Sequence, residues 1–387
     1  MFFRLLPWEY AIRNLFRRRL RTALTLVGLT TVVVLVFVVV GFIRGLERSL
    51  SVSGDPQAAV ILSLGMGENL EYSSIPMRTS GLVPASVAGI EERFGQKFVS
   101  PELYLGTQVR VGSRKPSMGL VRGVTRPAVL ARKSLDIFEG DWPRPGEVLV
   151  GRLAAAKLGA SVEEMAVGKS VRLEGQTWEI SGIFSAGGSA FESEIWCRLD
   201  SLQQAMKRQD LSLVAVTLAQ KGDFADLDLF CKERLDLELQ TMRERAYYAS
   251  LQKDYAPIRS LAWLVVTLLA GAGIFAGMNT MYGSVVGRTS ELAALQTIGF
   301  SRRAIAVSLI QEGLLLAAAS SLLAAFFSLV FINGMTVRFT MGAFALRVDN
   351  VAILIGCGVS LMLGFLGGIY PVFRALRMPI VEGLKAV

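Results

Sequence analysis

Ser260-Leu-Ala-Trp-Leu-Val-Val-Thr-Leu-Leu-Ala-Gly-Ala-Gly-Ile-Phe-Ala-Gly-Met-Asn-Thr-Met-Tyr-Gly-Ser-Val-Val-Gly287 runs 28 residues without a charge. Three further runs share that property: 22 residues from Thr22 to Ile43, 25 from Gly313 to Val337 and 24 from Asn350 to Phe373. A helix needs about 20 apolar residues to cross the hydrocarbon of a bilayer, where each backbone polar group must be satisfied within its own segment. One such run can be a buried core helix. Four of them, one before and three after a large polar stretch, predict an α-helical membrane protein with four transmembrane helices.

Charge sets the expected orientation. Between Arg44 and Arg259 there are 27 Lys plus Arg and 27 Asp plus Glu, so the net charge of +9 lies in the flanking segments, where 14 basic residues face 5 acidic ones. Arg4, Arg13, Arg17, Arg18, Arg19 and Arg21 precede the first run against Glu9 alone, and positive flanks stay in the cytoplasm. The expected layout is therefore a cytoplasmic amphipathic helix over 1–21, spans at 22–43, 260–287, 313–337 and 350–373, an extracytoplasmic domain over 44–259, a cytoplasmic elbow over 288–312, a short external loop over 338–349 and a cytoplasmic tail over 374–387. The tail agrees, with Arg374, Arg377 and Lys385 against Glu382. A basic excess beside lipid points to anionic headgroups rather than nucleic acid. The first run exceeds the apolar core of a cleavable signal, roughly 7 to 15 residues, and reads as an uncleaved anchor. Before it, Trp8, Ile12, Leu15, Phe16 and Leu20 recur at helical spacing opposite Arg13, Arg17 and Arg21, which suits a helix lying in the headgroup layer.

The polar region has ordinary globular composition. Short and alternating apolar stretches predict strands at Ala58–Leu64, Thr107–Val111, Met118–Val124, Glu147–Val150, Ser170–Leu173, Thr177–Phe184, Glu194–Arg198 and Leu213–Leu218. Helical spacing appears at Pro84–Phe94, Arg152–Leu158, Asp200–Arg208 and Asp223–Arg234. The region reads as a mixed α+β extracytoplasmic domain, with loops at Asp141–Gly146 and Gly187–Ser189.

The residues of the common catalytic sites are largely missing from the chain. With no histidine in the chain, a Ser-His-Asp or Cys-His site and a His-ligated metal are excluded. Gly168-Lys169-Ser170 matches the end of a phosphate-binding loop, but Glu163 stands where that loop needs glycine, so a turn entering a strand is the better reading. Nothing in the sequence pairs any two carboxylates for acid-base work. Cys197 and Cys231 can bridge in an oxidising compartment, whereas Cys357 lies in a span. No catalytic or metal-ligating residue is assigned, and the chain is read as a non-catalytic membrane subunit.

What the chain does carry is an elbow between the second and third spans, Arg288-Thr-Ser-Glu-Leu-Ala-Ala-Leu-Gln-Thr-Ile-Gly-Phe-Ser-Arg-Arg303. Thr289 or Ser290 is expected to cap a short helix, Leu292 and Leu295 to give it an apolar side, and Gly299 to end it in a left-handed turn. Ser301 then caps the next helix. Such an element is either a lever for a cytosolic partner or a plain interfacial turn. Inside the spans, Gly273 and Gly277, and Gly364 and Gly368, stand four apart and permit close helix packing, in a dimer seam or within one subunit. Pro371 is expected to kink or end the last span.

The Glu291-Leu-Ala-Ala-Leu-Gln-Thr-Ile-Gly-Phe-Ser-Arg-Arg303 run followed by Glu312-Gly-Leu-Leu-Leu316 resembles the coupling region of MacB/FtsX-type ABC transporter permeases, among them the lipoprotein-release permeases LolC and LolE. Pro371-Val-Phe-Arg-Ala-Leu-Arg-Met-Pro-Ile-Val-Glu-Gly-Leu384 is similar to the family's C-terminal ending. Gly140-Asp-Trp-Pro-Arg-Pro-Gly-Glu-Val-Leu-Val-Gly-Arg-Leu-Ala154, Gly168–Leu173 and Trp178–Phe184 resemble its periplasmic core domain.

The resemblance implies a half-transporter in the bacterial inner membrane that dimerises with a second permease subunit, homo- or heterodimeric. It would couple to a cytosolic ABC ATPase supplied in trans, since the sequence begins 21 residues before the first span. ATP and Mg would bind that partner, with no cofactor on this chain. Glu291, Leu292, Ala294, Leu295, Thr297, Ile298, Gly299 and Phe300 would form the coupling helix, and the extracytoplasmic domain would split into two lobes, with 130–200 inserted. The implied function is export or extraction of a lipoprotein, lipid, peptide or amphipathic small molecule, with a periplasmic adaptor as a further partner. The alternative is an FtsX-like force transmitter that regulates a cell-wall hydrolase without transport.

Overall fold

The computed structural model describes residues 8–17, 19–66, 69–132, 135–219, 224–339 and 342–377. Its helices, in chain order, are α1 (Trp8–Arg17), α2 (Arg19–Ser53), α3 (Thr79–Ser86), α4 (Pro127–Ala131), α5 (Ala154–Leu158), α6 (Leu199–Met206), α7 (Phe224–Glu233), α8 (Glu244–Asp254), α9 (Ala256–Val286), α10 (Thr289–Thr297), α11 (Arg302–Phe327) and α12 (Asn350–Arg377). Four of them, α2, α9, α11 with its continuation to Ile332, and α12, are long and apolar enough to cross a membrane.

These helices do not stop where the charge-free runs stop. A run without charge marks hydrocarbon depth, whereas a helix ends only where its backbone bonds are capped or broken. Thus α2 continues past Ile43 through Arg44, Glu47 and Arg48 to Ser53. α11 begins at Arg302, ahead of Gly313, because Ser301 Oγ accepts the Ala304 N–H at 3.2 Å. It continues into a π turn over Ser328–Ile332. α12 runs through Pro371 to Arg377, so the proline does not end it; one missing N–H is tolerated in a membrane-spanning helix. The expected external loop over 338–349 is instead largely a β-hairpin, described below. Arg4, Arg18, Glu382 and Lys385 of the charge argument, and Asp223 at the start of an expected helix, lie outside the described residues.

The chain divides into two units. The helical unit comprises the residues up to Arg44, Pro257–Met335 and Leu346 onward. Within it α11 and α12 meet at two glycines: a Cβ built on Gly364 would lie 2.5 Å from Ala317 Cβ and 2.7 Å from the Gly313 carbonyl oxygen. Ser360 Oγ donates to the Ala317 carbonyl at 2.8 Å, satisfying a hydroxyl that lipid could not. Gly273 faces Leu363 and Val32, at 3.1 and 3.2 Å from a built Cβ, whereas Gly277 meets only the Leu363 carbonyl at 3.9 Å and Gly368 nothing within 4 Å. The four glycines therefore do not act as two equivalent stripes. Of the four, Gly364 sits where a side chain would collide, Gly273 where the Leu363 and Val32 side chains would have to give, and Gly277 where a Cβ on Gly367 would lie 3.3 Å from its carbonyl carbon.

The polar unit comprises Gly45–Ala256 and Thr336–Ala345. Its strands are β1 (Ala58–Ser63), β2 (Val99–Val111), β3 (Ser117–Val124), β4 (Asp136–Gly140), β5 (Glu147–Gly151), β6 (Ser170–Leu173), β7 (Gln176–Ser185), β8 (Glu194–Arg198), β9 (Leu213–Thr217), β10 (Leu239–Arg243), β11 (Thr336–Phe339) and β12 (Gly342–Ala345). β2 pairs β3, β3 pairs β8 in parallel, β8 pairs β5, β5 pairs β7 in parallel, β7 pairs β6, and β6 returns to β2. Six strands thus close a ring, which leaves few open edges. β4 adds to the far end of β7. The start of β2 meanwhile pairs β9, which pairs β1, which pairs β10. Both parts of the sheet share the 13-residue β2, and the ring draws on the end of β2 and on β3 as well as on strands within 130–200.

Residues Pro84–Phe94 are not the helix their spacing suggests. α3 ends at Ser86, Ile90 bridges Leu218, and Glu92–Arg93 pairs Gln96–Lys97. Val87 and Ile90 are buried, as the spacing requires, but from an extended backbone, and Phe94 and Gly95 turn the chain at positive φ of 56° and 77°. Cys197 and Cys231 are free, buried thiols; burial pushes the Cys231 thiol up to about 12.

Candidate functional site

The elbow is built around a buried charge. Arg288 occupies the N-cap position of α10 without capping it, and Thr289 and Ser290 are the first helical residues rather than caps. The Arg288 guanidinium turns inward instead. Its Nη2 donates to Glu312 Oε1 at 2.7 Å and Oε2 at 3.0 Å, and to Ser284 Oγ at 2.6 Å. Asn14 Nδ2 of α1 donates to the same carboxylate at 3.3 Å. Arg288 is only 4% exposed, so this charge serves the protein interior and not the headgroup layer. Removing one partner of such a pair leaves a buried charge uncompensated, at a cost of about 3–5 kcal/mol.

The same elements carry an apolar cluster. Val285, Leu292, Ile305, Leu309 and Val372 form it, with Tyr10, Leu295 and Phe300 packed against it. The C-terminus of α10 is fixed by two bonds, Gly299 N–H to Gln296 O and Phe300 N–H to Leu295 O, each 3.1 Å. With Gly299 at φ +101°, this is the Schellman arrangement, and the Leu295–Phe300 pair supplies its apolar contact. On α1, Ala11 is buried while Ile12 and Phe16 are exposed. That helix therefore packs its Tyr10, Ala11 and Asn14 side on the elbow and leaves the Ile12–Phe16 stripe outward.

The eight residues expected to meet a partner separate accordingly. Leu292 is buried inside the chain, Leu295 and Phe300 are half-buried on its own cluster, and Ala294 is half-buried. Glu291 pairs with Arg17 at 3.2 Å. Thr297, Ile298 and Gly299 are exposed, with Ile298 at 75%. The outward apolar contact of the elbow is thus Ile298, at the helix end, not Leu295. A helix of this length has one inner face, and the helical unit's own core uses it.

The polar unit contains a second charge assembly that spacing did not reveal. The period of two along a strand puts Glu102 and Tyr104, Leu120 and Arg122, and Glu194 and Trp196 on one face of adjacent strands, with Tyr104 opposite Arg122 and Arg122 opposite Trp196. Arg122 donates to Glu102 at 2.6 Å and to both oxygens of Glu194 at 2.7 Å. Arg132 donates to Glu102 at 2.9 and 3.1 Å and to Glu244. Glu244 also accepts the Asp55 N–H at 3.2 Å. All five are buried. Burial pushes the Glu102 carboxyl up, but Arg132 and Arg122 outweigh it and hold it below the ordinary glutamate range. For Glu244 burial prevails over the pull of Arg132, and its carboxyl lies above that range. The sequence signal was a charge at an inward position of an otherwise apolar strand, Arg122 within Leu120–Val124.

Comparisons with known proteins place both parts. The MacB-like periplasmic core domain model matches residues 22–228, and the FtsX-like permease C-terminal model matches residues 263–380. No curated protein matches the chain. Among solved structures, the periplasmic region of MacB from Actinobacillus actinomycetemcomitans is similar at 11% identity and a TM-score of 0.40, over 52% of this chain and 94% of that one. The extracellular domain of the noncanonic ABC-type transporter YknZ from Gram-positive bacteria gives 16% and 0.38, over 48% and 99%. A domain of a putative permease from Porphyromonas gingivalis gives 13% and 0.33, over 48% and 88%. With one family model covering more than half of the sequence and a second covering the elbow and the last three spans, the chain belongs to the MacB/FtsX-type permeases, bacterial membrane components of ABC transporters that work with ABC ATPases.

Proposed function

We propose that this chain is the permease subunit of an ABC complex in the bacterial cytoplasmic membrane. Both termini lie in the cytosol, the polar unit lies outside, and a second permease subunit completes the membrane part. A separate cytosolic ATPase binds ATP and Mg, and its hydrolysis drives export or extraction of an amphipathic substrate through movement of the polar unit. The observation that carries this reading is the elbow. α10 is locked to its own helical unit by the Arg288–Glu312 pair and the Leu292 cluster, yet it ends on an exposed isoleucine held in place by a fixed turn. A rigid element with an apolar tip transmits a push; a loose turn would absorb it.

The test is Ile298→Asp. Because Ile298 touches solvent rather than core, the variant should insert and melt like the wild type, while co-purification with the ATPase and stimulated hydrolysis are lost, since an apolar contact becomes an unpaired buried charge on docking. Leu295→Asp is the less informative change, because it also disrupts the inner cluster and should lower thermal stability. Wild-type ATPase association in Ile298→Asp would refute docking at this tip.

A further inference from the structure

A cavity of about 520 Å³ lies in the polar unit beside the buried charge assembly, lined among others by Tyr104, Tyr248, Tyr255, Leu251, Glu71 and Asp254. That volume falls in the range of small-molecule sites, which are mainly apolar and aromatic with a few placed polar groups. Tyr248 is only 7% exposed and is one of the residues that line the cavity.

The charge around this space is negative. The two guanidiniums of Arg122 and Arg132 are shared among three carboxylates, Glu102, Glu194 and Glu244. Glu71 and Asp254 add two more on the lining, and neither makes a salt bridge among the described residues. Lys157, whose field reaches Glu71, donates its ammonium to the Phe339 carbonyl at 3.0 Å. Arg122 also lines the cavity, but its guanidinium is committed to Glu102 and Glu194 and lies 4.4 Å from the Tyr104 ring centroid. An anion entering here would meet no unpaired cation. A positive group would meet two carboxylates with Tyr248 and Tyr255 among the lining, and aromatic rings attract cations.

We propose that this cavity binds a lipophilic organic cation, with its apolar body against Leu251 and the tyrosine rings and its charge toward Glu71 and Asp254. The proposal deepens the permease reading, and rests on it for the ligand's role as cargo. Binding itself is measured on the full chain alone, in nanodiscs of zwitterionic lipid, with protein-free nanodiscs subtracted. The probes are tetraphenylphosphonium and tetraphenylborate, equal in shape and opposite in charge. The phosphonium should bind saturably at one site per chain and the borate should not. Glu71→Gln with Asp254→Asn, which keeps shape and removes charge, should weaken binding at least tenfold, and Leu251→Trp, which fills the space, should abolish it. Equal binding of the borate, no saturable binding of the phosphonium, or unchanged affinity in the double variant would overturn the site. Ile298→Asp should bind the phosphonium like the wild type, so loss of ATPase docking and loss of the cavity ligand are separate results.

Discussion

Arg122 and Arg132 converge on one carboxylate, Glu102, which is fully buried. Replacing it by glutamine leaves each guanidinium with one remaining anion and a polar partner of the wrong charge. At neutral pH the cost is expected to be about 3–5 kcal/mol, the usual penalty for breaking a buried pair. Its folded pKa is depressed, so the carboxylate contributes its full stability above the unfolded glutamate value, about 4.3, and loses it as pH falls through the folded value. The difference between wild type and Glu102→Gln should therefore narrow below about pH 4. Thermal unfolding of the full chain across that range measures it, and a gap that stays constant down to pH 3 would refute the assignment. Glu244 works in the opposite sense: its folded pKa is raised, so its contribution is present at low pH and declines as pH rises through the folded value. None of this pairing was legible beforehand. Glu102, Arg122, Glu194 and Glu244 meet only through strand register and the placement of α8, and a single sequence does not state register.

Elements with a strong local signal were legible, and those without one were not. β3, β6, β7 and β8 alternate or run apolar and lie where the pattern puts them, because one face of each must be dry. β4 was missed, since its residues are mostly exposed and carry no alternation. Pro84–Phe94 misled because Val87, Ile90 and Phe94 fit a helical period by coincidence, while the chain turns at Phe94 and Gly95. In the elbow, Gly299 and Ser301 gave the helix end and the next helix start, whereas the inward turn of Arg288 depended on Glu312 in another helix. The spans show the same division. Glycines four apart were visible at 364 and 368, but only Gly364 has a partner at close range, Gly313, and that partner lies in α11. Gly364→Leu should therefore lower the melting temperature of the purified chain by several degrees, because its side chain would displace the Gly313 backbone. Gly368→Ala should melt within a degree or so of wild type. Equal losses in both would mean that the helix contact is not at Gly364.

On the scale of the molecule, the sequence order and the contact order differ. β11 and β12 are covalently part of the link between α11 and α12, yet they pack with the polar unit. Lys157 of α5 donates to the Phe339 carbonyl at 3.0 Å, the rings of Phe339 and Tyr255 lie 5.1 Å apart, and Phe344 stacks edge-on against Phe339 at 6.3 Å. Gly342 is needed there, since a Cβ would fall 2.7 Å from Ser193 Oγ. The polar unit is therefore built not only from Gly45–Ala256 but also from Thr336–Ala345, a segment that the sequence places between the third and fourth apolar helices. If the elbow is pushed by an ATPase, α11, which carries Glu312, is joined to this hairpin by the chain itself. Replacing residues 336–345 with a flexible glycine-serine segment of equal length should preserve insertion and ATPase association, because the elbow is untouched. It should, however, abolish stimulation of hydrolysis by a ligand of the polar unit, since a flexible segment carries no load. The measurement is hydrolysis by the reconstituted complex with and without tetraphenylphosphonium. Stimulation that survives the replacement would show that α2 and α9 alone carry the coupling.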